Sequence, residues 1–219
     1  MYDPWDVPPI PTRGDEYGDA LFAAIGRALI AWEEIEVSLA HLYSALCEKS
    51  PYDDGSNLDY GLPSNFNGRL EKLNDKAETY FIKYSNQGLE GRLHELLYRI
   101  KRMSARRNDI AHGVVRLFDI VKDPNITLLG AIDSGWCLVP PHFKGVKHYD
   151  RNTPIVLFTS RSIKKVESGF WTLKVDIHSI LKIIELPHFA LTRQFALPPL
   201  ERPPYPELEY TPQGLRRRE

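Results

Sequence analysis

The sequence of 219 residues predicts a mainly α-helical protein, a bundle of four to five helices in up-and-down order with a small antiparallel β insert. Three observations predict this class. Apolar residues recur at three- and four-residue spacing in four long stretches, a block of short β-branched runs separates the third stretch from the fourth, and proline-rich segments lie at both ends. With 42% hydrophobic residues the chain can bury one substantial core, so we expect a single helical domain over residues 15–196.

The four long helices are predicted from their apolar stripes and their end signals. The first spans residues 15–48, and its stripe consists of Leu21, Ile25, Leu29, Trp32, Ile35, Leu39, Leu42, Tyr43 and Leu46. Turn-forming residues fill 51–63, and Ser64 or Asn65 then caps a helix over 66–84. The third helix covers 90–112 and ends at Gly113, where we expect a left-handed residue. The fourth is capped by Thr159 or Ser160 and ends near Pro187.

The remaining segments are predicted to be strands and extended arms. Runs at 114–121, 126–132 and 136–139 are typical of an antiparallel meander, which forms an insert over 114–159, with 154–159 as a candidate for one more strand. Residues 1–14 contain four prolines and predict an arm that is extended on the body or disordered. Residues 197–219 contain six prolines and predict a polyproline-like tail that ends in the exposed cluster Arg216, Arg217 and Arg218.

The charge balance and the two cysteines restrict the classes of function. The 28 basic residues are matched by 29 acidic residues, so an anionic partner must be attracted locally and not by the net charge. Cys47 and Cys137 have no CxxC spacing, which predicts ordinary thiols and a reducing compartment. The chain begins without a signal-peptide pattern and contains no run of eighteen apolar residues, so we expect a soluble cytoplasmic protein without a membrane partner.

Motifs of the common cofactor and metal enzymes are missing from the sequence. The seven histidines form neither HxxxH nor HExxH, and there is no Walker-type loop, GxGxxG or GxSxG. We therefore expect neither a metal site nor a cofactor.

One heptapeptide carries most of the functional information: Arg107-Asn108-Asp109-Ile110-Ala111-His112-Gly113, at the end of the third predicted helix. It resembles the signature of the HEPN superfamily, an arginine followed after four to six residues by a histidine, with a polar residue directly after the arginine. The segment 93–103 and the region of Trp32 to Glu36 look like the family's helices. The resemblance covers residues 18–115 and, more loosely, 160–186.

This resemblance implies a HEPN-like bundle and a metal-independent endoribonuclease that works as a homodimer on RNA. It also suggests a toxin or a phage-defence effector, with a cognate antitoxin or another regulatory protein as a further partner. The rival hypothesis is a HEPN-like module without activity, which dimerises and binds nucleic acid or a protein through its proline-rich arms.

The helical wheel separates the motif into two parts. Arg107 falls within the apolar stripe of the third helix, so we predict that it faces inward and pairs with Glu36, which interrupts the stripe of the first helix. His112 lies about 140° around the helix from Arg107 but shares a face with Asn108, with Asp109 beside it. Because one histidine supplies only an acid or a base, a two-fold dimer is needed to complete the site.

The predicted catalytic roles have structural alternatives. His112 is the candidate general acid or base, Arg107 the stabiliser of the phosphorane, and Asn108 the orienting amide, with Glu36 and Asp109 in support. Alternatively, Arg107 is a core ion-pair partner, and His112 and Asn108 cap the helix backbone. The neighbouring cations are candidates either for RNA contact or for an ordinary solvated face; they are Lys101, Arg102 and Arg106, with Arg92 and Arg99 further along.

Overall fold

A computed structural model of the chain describes residues 6–119, 134–141, 149–150, 153–154, 156–189, 208–211 and 214–217. The chain divides into two compact units, residues 1–186 and 187–219. The first unit is a helical bundle with a small antiparallel sheet, which confirms the predicted fold class.

Five helices are present in the described residues. They are α1 (Gly18–Leu46), α2 (Asp54–Gly61), α3 (Phe66–Lys83), α4 (Gln87–Ala111) and α5 (Ser160–Phe189). The four long helices are those predicted from the apolar stripes. The prediction for residues 51–63 was wrong, because α2 forms there, with the Asp53 side chain accepting a hydrogen bond from the Ser56 amide at 2.8 Å. The turn-forming residues in this segment therefore include the cap of a short helix.

The caps explain why the long helices begin where they do. Asn65 accepts from the Gly68 amide at the start of α3, as predicted, and Asn86 accepts from the Leu89 amide at the start of α4. At the start of α5, Thr159 and Ser162 exchange side chain-to-backbone hydrogen bonds, which confirms Thr159 as the predicted cap.

The insert between α4 and α5 contains two short antiparallel pairs among the described residues. Strand β1 (Val114–Asp119) pairs with β2 (Ser134–Val139), and β3 (Tyr149–Asp150) pairs with β4 (Thr153–Pro154). Among the described residues of the predicted strand at 154–159, Pro154 belongs to β4 and Phe158 forms an isolated bridge with Leu138. The predicted strand at 126–132 lies outside the described residues.

The second unit contains one further antiparallel pair, β5 (Leu208–Thr211) with β6 (Gly214–Arg217). The prediction of a polyproline-like backbone was therefore wrong for these eight residues, whose ladder supplies the hydrogen bonds that polyproline lacks. Arg216 and Arg217 lie within β6.

The described part of the N-terminal arm, residues 6–14, lies on the body, one of the two outcomes that its prolines predict. The Gly14 amide donates to the Ser134 carbonyl at 2.9 Å, and Asp15 exchanges two backbone hydrogen bonds with Trp136 of β2. The Asp15 carboxylate also accepts from the Ser160 amide at 2.6 Å, at the positive end of the α5 dipole. The arm thereby joins the sheet to the first turn of α5.

The core lies between α1 and the three other long helices. Trp32 is 1% exposed and packs edge-on against Phe66 of α3 and Phe170 of α5, as expected for its stripe position. Ile100 and Met103 complete this core from α4. The apolar stripes of the four long helices thus meet in a single cluster.

Candidate functional site

The heptapeptide occupies the last turns of α4 and the residues just after it, as predicted. The helix ends at Ala111, His112 is its C-cap, and the His112 amide donates to the Asn108 carbonyl at 3.1 Å. Gly113 does not adopt the expected left-handed conformation, since Gly135 is the glycine with positive φ among the described residues. A Cβ at Gly113 would lie 2.6 Å from Leu138, so the close approach of β2 requires glycine here.

Arg107 is half-buried, and its partner differs from the predicted one. Its Nη2 lies 3.6 Å from Oε1 of Glu33, and its Nη1 donates to Oδ1 of Asn108 at 3.1 Å. The Arg107 side chain is 32% exposed and that of Glu33 is 66% exposed. The predicted ion pair between Arg107 and Glu36 is therefore wrong, and so is the prediction that Arg107 is the residue that faces inward.

Glu36 instead belongs to a closed structural cluster. Both of its carboxylate oxygens accept from Arg69 of α3, at 3.0 and 3.1 Å, and Oε1 also accepts from the Trp32 indole at 3.2 Å. Sequence reasoning missed Arg69, although a signal was present. Arg69 interrupts the stripe of α3 between Phe66 and Leu73 in the same way that Arg107 interrupts that of α4.

The neighbouring residue Arg106 takes the buried position that we predicted for Arg107. It lies three residues after Met103 and four before Ile110, both of which are buried, so the stripe passes through it. Its Nη2 is 3.0 Å from Asp109 Oδ2, and the side chains of the pair are 12% and 10% exposed. Asp109 is thus placed to support the helix end and not to face outward beside His112.

Asn108 and His112 are both exposed at the end of α4, as their shared face predicts. The Asn108 amide oxygen is occupied by Arg107, whereas the His112 imidazole makes no hydrogen bond or ion pair to any described residue. The site therefore contains one accessible imidazole, one accessible amide and one guanidinium held at the edge of α1. Glu33 was missed by sequence reasoning, because no periodicity distinguishes it from other exposed acids.

Three of the five cations near the motif face an acidic side chain. Arg102 lies 3.4 Å from Asp6 of the N-terminal arm, Arg99 lies 2.9 Å from Asp176 of α5, and Arg106 lies 3.0 Å from Asp109. The expectation of a solvated face is wrong for Arg106, because its side chain is only 12% exposed and pairs with Asp109. Lys101 and Arg92 remain exposed.

The other reactive side chains lie in structural environments. Both cysteines are free; burial raises the pKa of Cys137 to about 12 and also raises that of Cys47. In the part of the chain that the structure describes, no three His, Cys, Asp or Glu side chains are close enough to hold a metal ion together. Two of the seven histidines, His142 and His148, lie outside the described residues, so this statement does not cover them.

None of the described helices has the length and apolar character needed to span a bilayer. Comparison of the chain with protein-family models, with curated proteins and with solved structures found no match.

Proposed function

We propose that this chain is a metal-independent endoribonuclease of HEPN type, which cleaves RNA at a composite site formed by two copies. The single observation that carries this proposal is the exposure of Asn108 and His112 beside Arg107 at the end of α4. A toxin or phage-defence role, with an antitoxin or another regulator as partner, follows from the resemblance and is part of the proposal.

The chemistry requires three elements around one phosphodiester. A base removes the proton of the ribose 2′-hydroxyl, an acid protonates the departing 5′-oxygen, and positive charge stabilises the phosphorane. His112 of one copy would be the base and His112 of the other copy the acid. The Arg107 guanidinium would lie against the phosphorane oxygens, and the Asn108 amide would orient the phosphate or the imidazole.

The contacts of Arg107 support this assignment. Its link to Glu33 is long and solvated, so a phosphate can compete with the carboxylate for the guanidinium. Arg69, in contrast, donates twice to Glu36 and is committed to the fold. Of these two arginines, the one in the motif is therefore the one that remains available to an anion.

The test is to incubate the purified full-length protein with single-stranded RNA in EDTA. The wild type should cleave, and His112→Ala should lose at least a hundredfold in rate because it lacks both the acid and the base. His94→Ala is the matched control, since His94 is also exposed on α4 but lies outside the motif. Equal cleavage by His112→Ala and His94→Ala would refute the proposal.

Of the two forms of the second candidate, a non-catalytic module that binds nucleic acid or a protein, the pairing of the arginines on α4 favours a protein partner. The acids that face Arg99, Arg102 and Arg106 reduce the local attraction for a polyanion. If neither the wild type nor the variants cleave RNA, while the wild type still binds a partner, this module is the better description.

A further inference from the structure

We propose that the outer face of α1 is the surface on which a second copy of this chain docks, with the two α1 helices antiparallel across a two-fold axis at Ile30. The outer face is defined here by five exposed residues: Phe22, Ala23, Gly26, Ile30 and Val37. They lie within about 80° of Ile30 on the helical wheel, on the side away from the core stripe.

Three large apolar side chains are exposed along the outer face, whereas the described residues of α3, α4 and α5 expose one each, at Ile82, Tyr98 and Val175. Phe22, Ile30 and Val37 are 56%, 64% and 51% exposed, although α1 already buries a full apolar stripe on its inner side. The solvated face of α4 is formed mainly by polar side chains, among them His94, Glu95, Lys101 and Arg102. Asp19, Arg27 and Glu33 are exposed within the same sector, so the outer face is an apolar row flanked by charges, the pattern of a surface that another protein helix can cover.

Gly26 provides an independent indication of close approach. It lies in the interior of α1, where glycine lowers helix stability relative to alanine. A Cβ added there would meet nothing within 4 Å, so no contact inside the described chain requires its absence. With Ala23 three residues before it, Gly26 forms a shallow place on the outer face where another helix can approach closely.

The pattern of size and charge selects a second copy as the occupant. With a rise of about 1.5 Å per residue, a two-fold axis at Ile30 brings Val37 level with the partner's Ala23. Arg27 comes within about one residue of the level of the partner's Glu34, and both lie on the same side of Ile30, at about 60° and 40°. A large side chain then meets a small one and a cation meets an anion, twice in the dimer, as an isologous interface requires.

Both charged groups are accessible for this contact. The Arg27 side chain is 48% exposed, and its contact within the chain is a distant one, 3.6 Å from Glu167. The Glu34 side chain is 45% exposed and contacts Lys174 with one oxygen, at 2.9 Å. Each can therefore gain a partner across the two-fold axis without leaving a buried charge unpaired.

The same arrangement relates the docking face to the proposed nuclease site. Glu33 lies on the edge of α1 opposite Arg27 and contacts Arg107. A two-fold axis perpendicular to the helices leaves both copies of Glu33, and hence both Arg107 side chains, on one side of the α1 pair. This last step rests on the proposed function, whereas the docking face itself does not.

Sedimentation equilibrium of the full chain tests the proposal. The wild type should form a dimer, and Ile30→Asp should weaken self-association at least tenfold, because it places two carboxylates on the axis. Ile82→Asp is the matched control: Ile82 is 86% exposed on α3 and is not part of the outer face, so its substitution should leave the dimer unchanged.

Glycine variants show whether weaker self-association results from the lost contact or from misfolding. Gly26→Ala should weaken the dimer several-fold while its melting temperature in dilute solution stays the same or rises. Gly91→Ala, at another open helical glycine, should also preserve or raise the melting temperature but leave self-association unchanged.

Crosslinking and charge exchange identify the occupant. In a Cys47→Ala background, Ile30→Cys should form a disulfide-linked pair of chains under mild oxidation, whereas Ile82→Cys should not. Arg27→Glu should weaken the dimer, and adding Glu34→Arg should restore it. A chain that is monomeric at all concentrations, or a dimer indifferent to Ile30→Asp, would overturn the proposal.

The two proposals fail separately. A dimer with these properties that does not cleave RNA refutes the nuclease and leaves the docking face intact. Cleavage that Ile30→Asp leaves unchanged refutes the docking face as part of the site.

Discussion

Glu36 and Arg107 both interrupt apolar stripes, yet the fold treats their two regions differently. Around Glu36, Arg69 and Trp32 satisfy both carboxylate oxygens inside the bundle. At the end of α4, Arg107 reaches only an exposed acid and its neighbour Asn108, and His112 is open to solvent. The first cluster is closed and stabilises the fold, whereas the second is open and can accept a ligand.

A charged residue within an apolar stripe can serve the fold or remain open to a ligand. Such a residue must find partners or reach water, because an unpaired buried charge is costly. Arg69 finds partners because α3 packs against the same face of α1 that presents Glu36. Arg107 lies further around α4, so its guanidinium reaches the edge of α1 and the solvent.

The largest expected effect belongs to the open cluster. Arg107→Ala should lower the rate of RNA cleavage by about 10²–10³-fold, the usual result of removing one donor to a developing anion. Its stability should change by less than about 1 kcal/mol, because the link to Glu33 is solvated. Single-turnover cleavage and urea unfolding measure the two effects. If Arg107→Ala lowers the free energy of unfolding but not the cleavage rate of the folded protein, Arg107 has a structural role and not a catalytic one.

In the closed cluster around Glu36, we expect a substitution to lower the stability of the fold. Glu36→Ala should lower the free energy of unfolding by about 3 kcal/mol, because the guanidinium of Arg69 loses its partner in a site where the two side chains are only 22% and 13% exposed. Glu33→Ala, at the exposed acid, should cost about 0.5 kcal/mol or less. Urea unfolding of both variants gives the comparison, and equal losses would show that the two regions do not differ.

The junction between α4 and the sheet should show an intermediate effect. Gly113→Ala places a Cβ about 2.6 Å from the buried Leu138 and should destabilise the fold by about 2 kcal/mol through overpacking. Gly91 of α4 provides the control, because a Cβ added there would meet no atom within 4 Å. Gly91→Ala should therefore raise the free energy of unfolding by about 0.5 to 1 kcal/mol. If thermal unfolding shows no difference between them, the contact with Leu138 does not fix the end of α4.

The smallest effect is a dependence on pH within the closed part of the bundle. His178 of α5 contacts the buried Ser38 of α1 at 3.2 Å. Burial, with contributions from Lys174, His41 and Lys182, lowers its pKa from the usual 6.5, although Glu34 acts in the opposite direction. The unfolded chain therefore binds this proton more readily, and the free energy of unfolding should fall as the pH decreases below about 6.5.

Unfolding measured at pH 7.5 and at pH 5.5 checks this expectation. His178→Gln should reduce the difference between the two conditions, whereas His94→Gln, at an exposed position, should preserve it. An unchanged difference in His178→Gln would assign the dependence to other groups.

Much of the architecture could be predicted from the sequence because it depends on local spacing. The stripes on the four long helices and the caps Asn65 and Thr159 act within a few residues, so periodicity and hydrogen-bonding chemistry reveal them. The short helix α2 was missed because its turn-forming residues also serve as its cap. The pairing of β5 with β6 was missed because proline content describes backbone preference and not tertiary pairing.

The sequence by itself determined that a helix would end at Gly113 with Asn108 and His112 on one exposed face. Tertiary packing leaves the Arg106 side chain only 12% exposed, pairs Arg107 with Glu33, and pairs Glu36 with Arg69. The physical reason is that successive residues of a helix are separated by only about 100°. Either Arg106 or Arg107 can therefore be assigned to the same apolar stripe from the sequence pattern. Only the packing of α1, α3 and α4 selects which guanidinium each carboxylate receives.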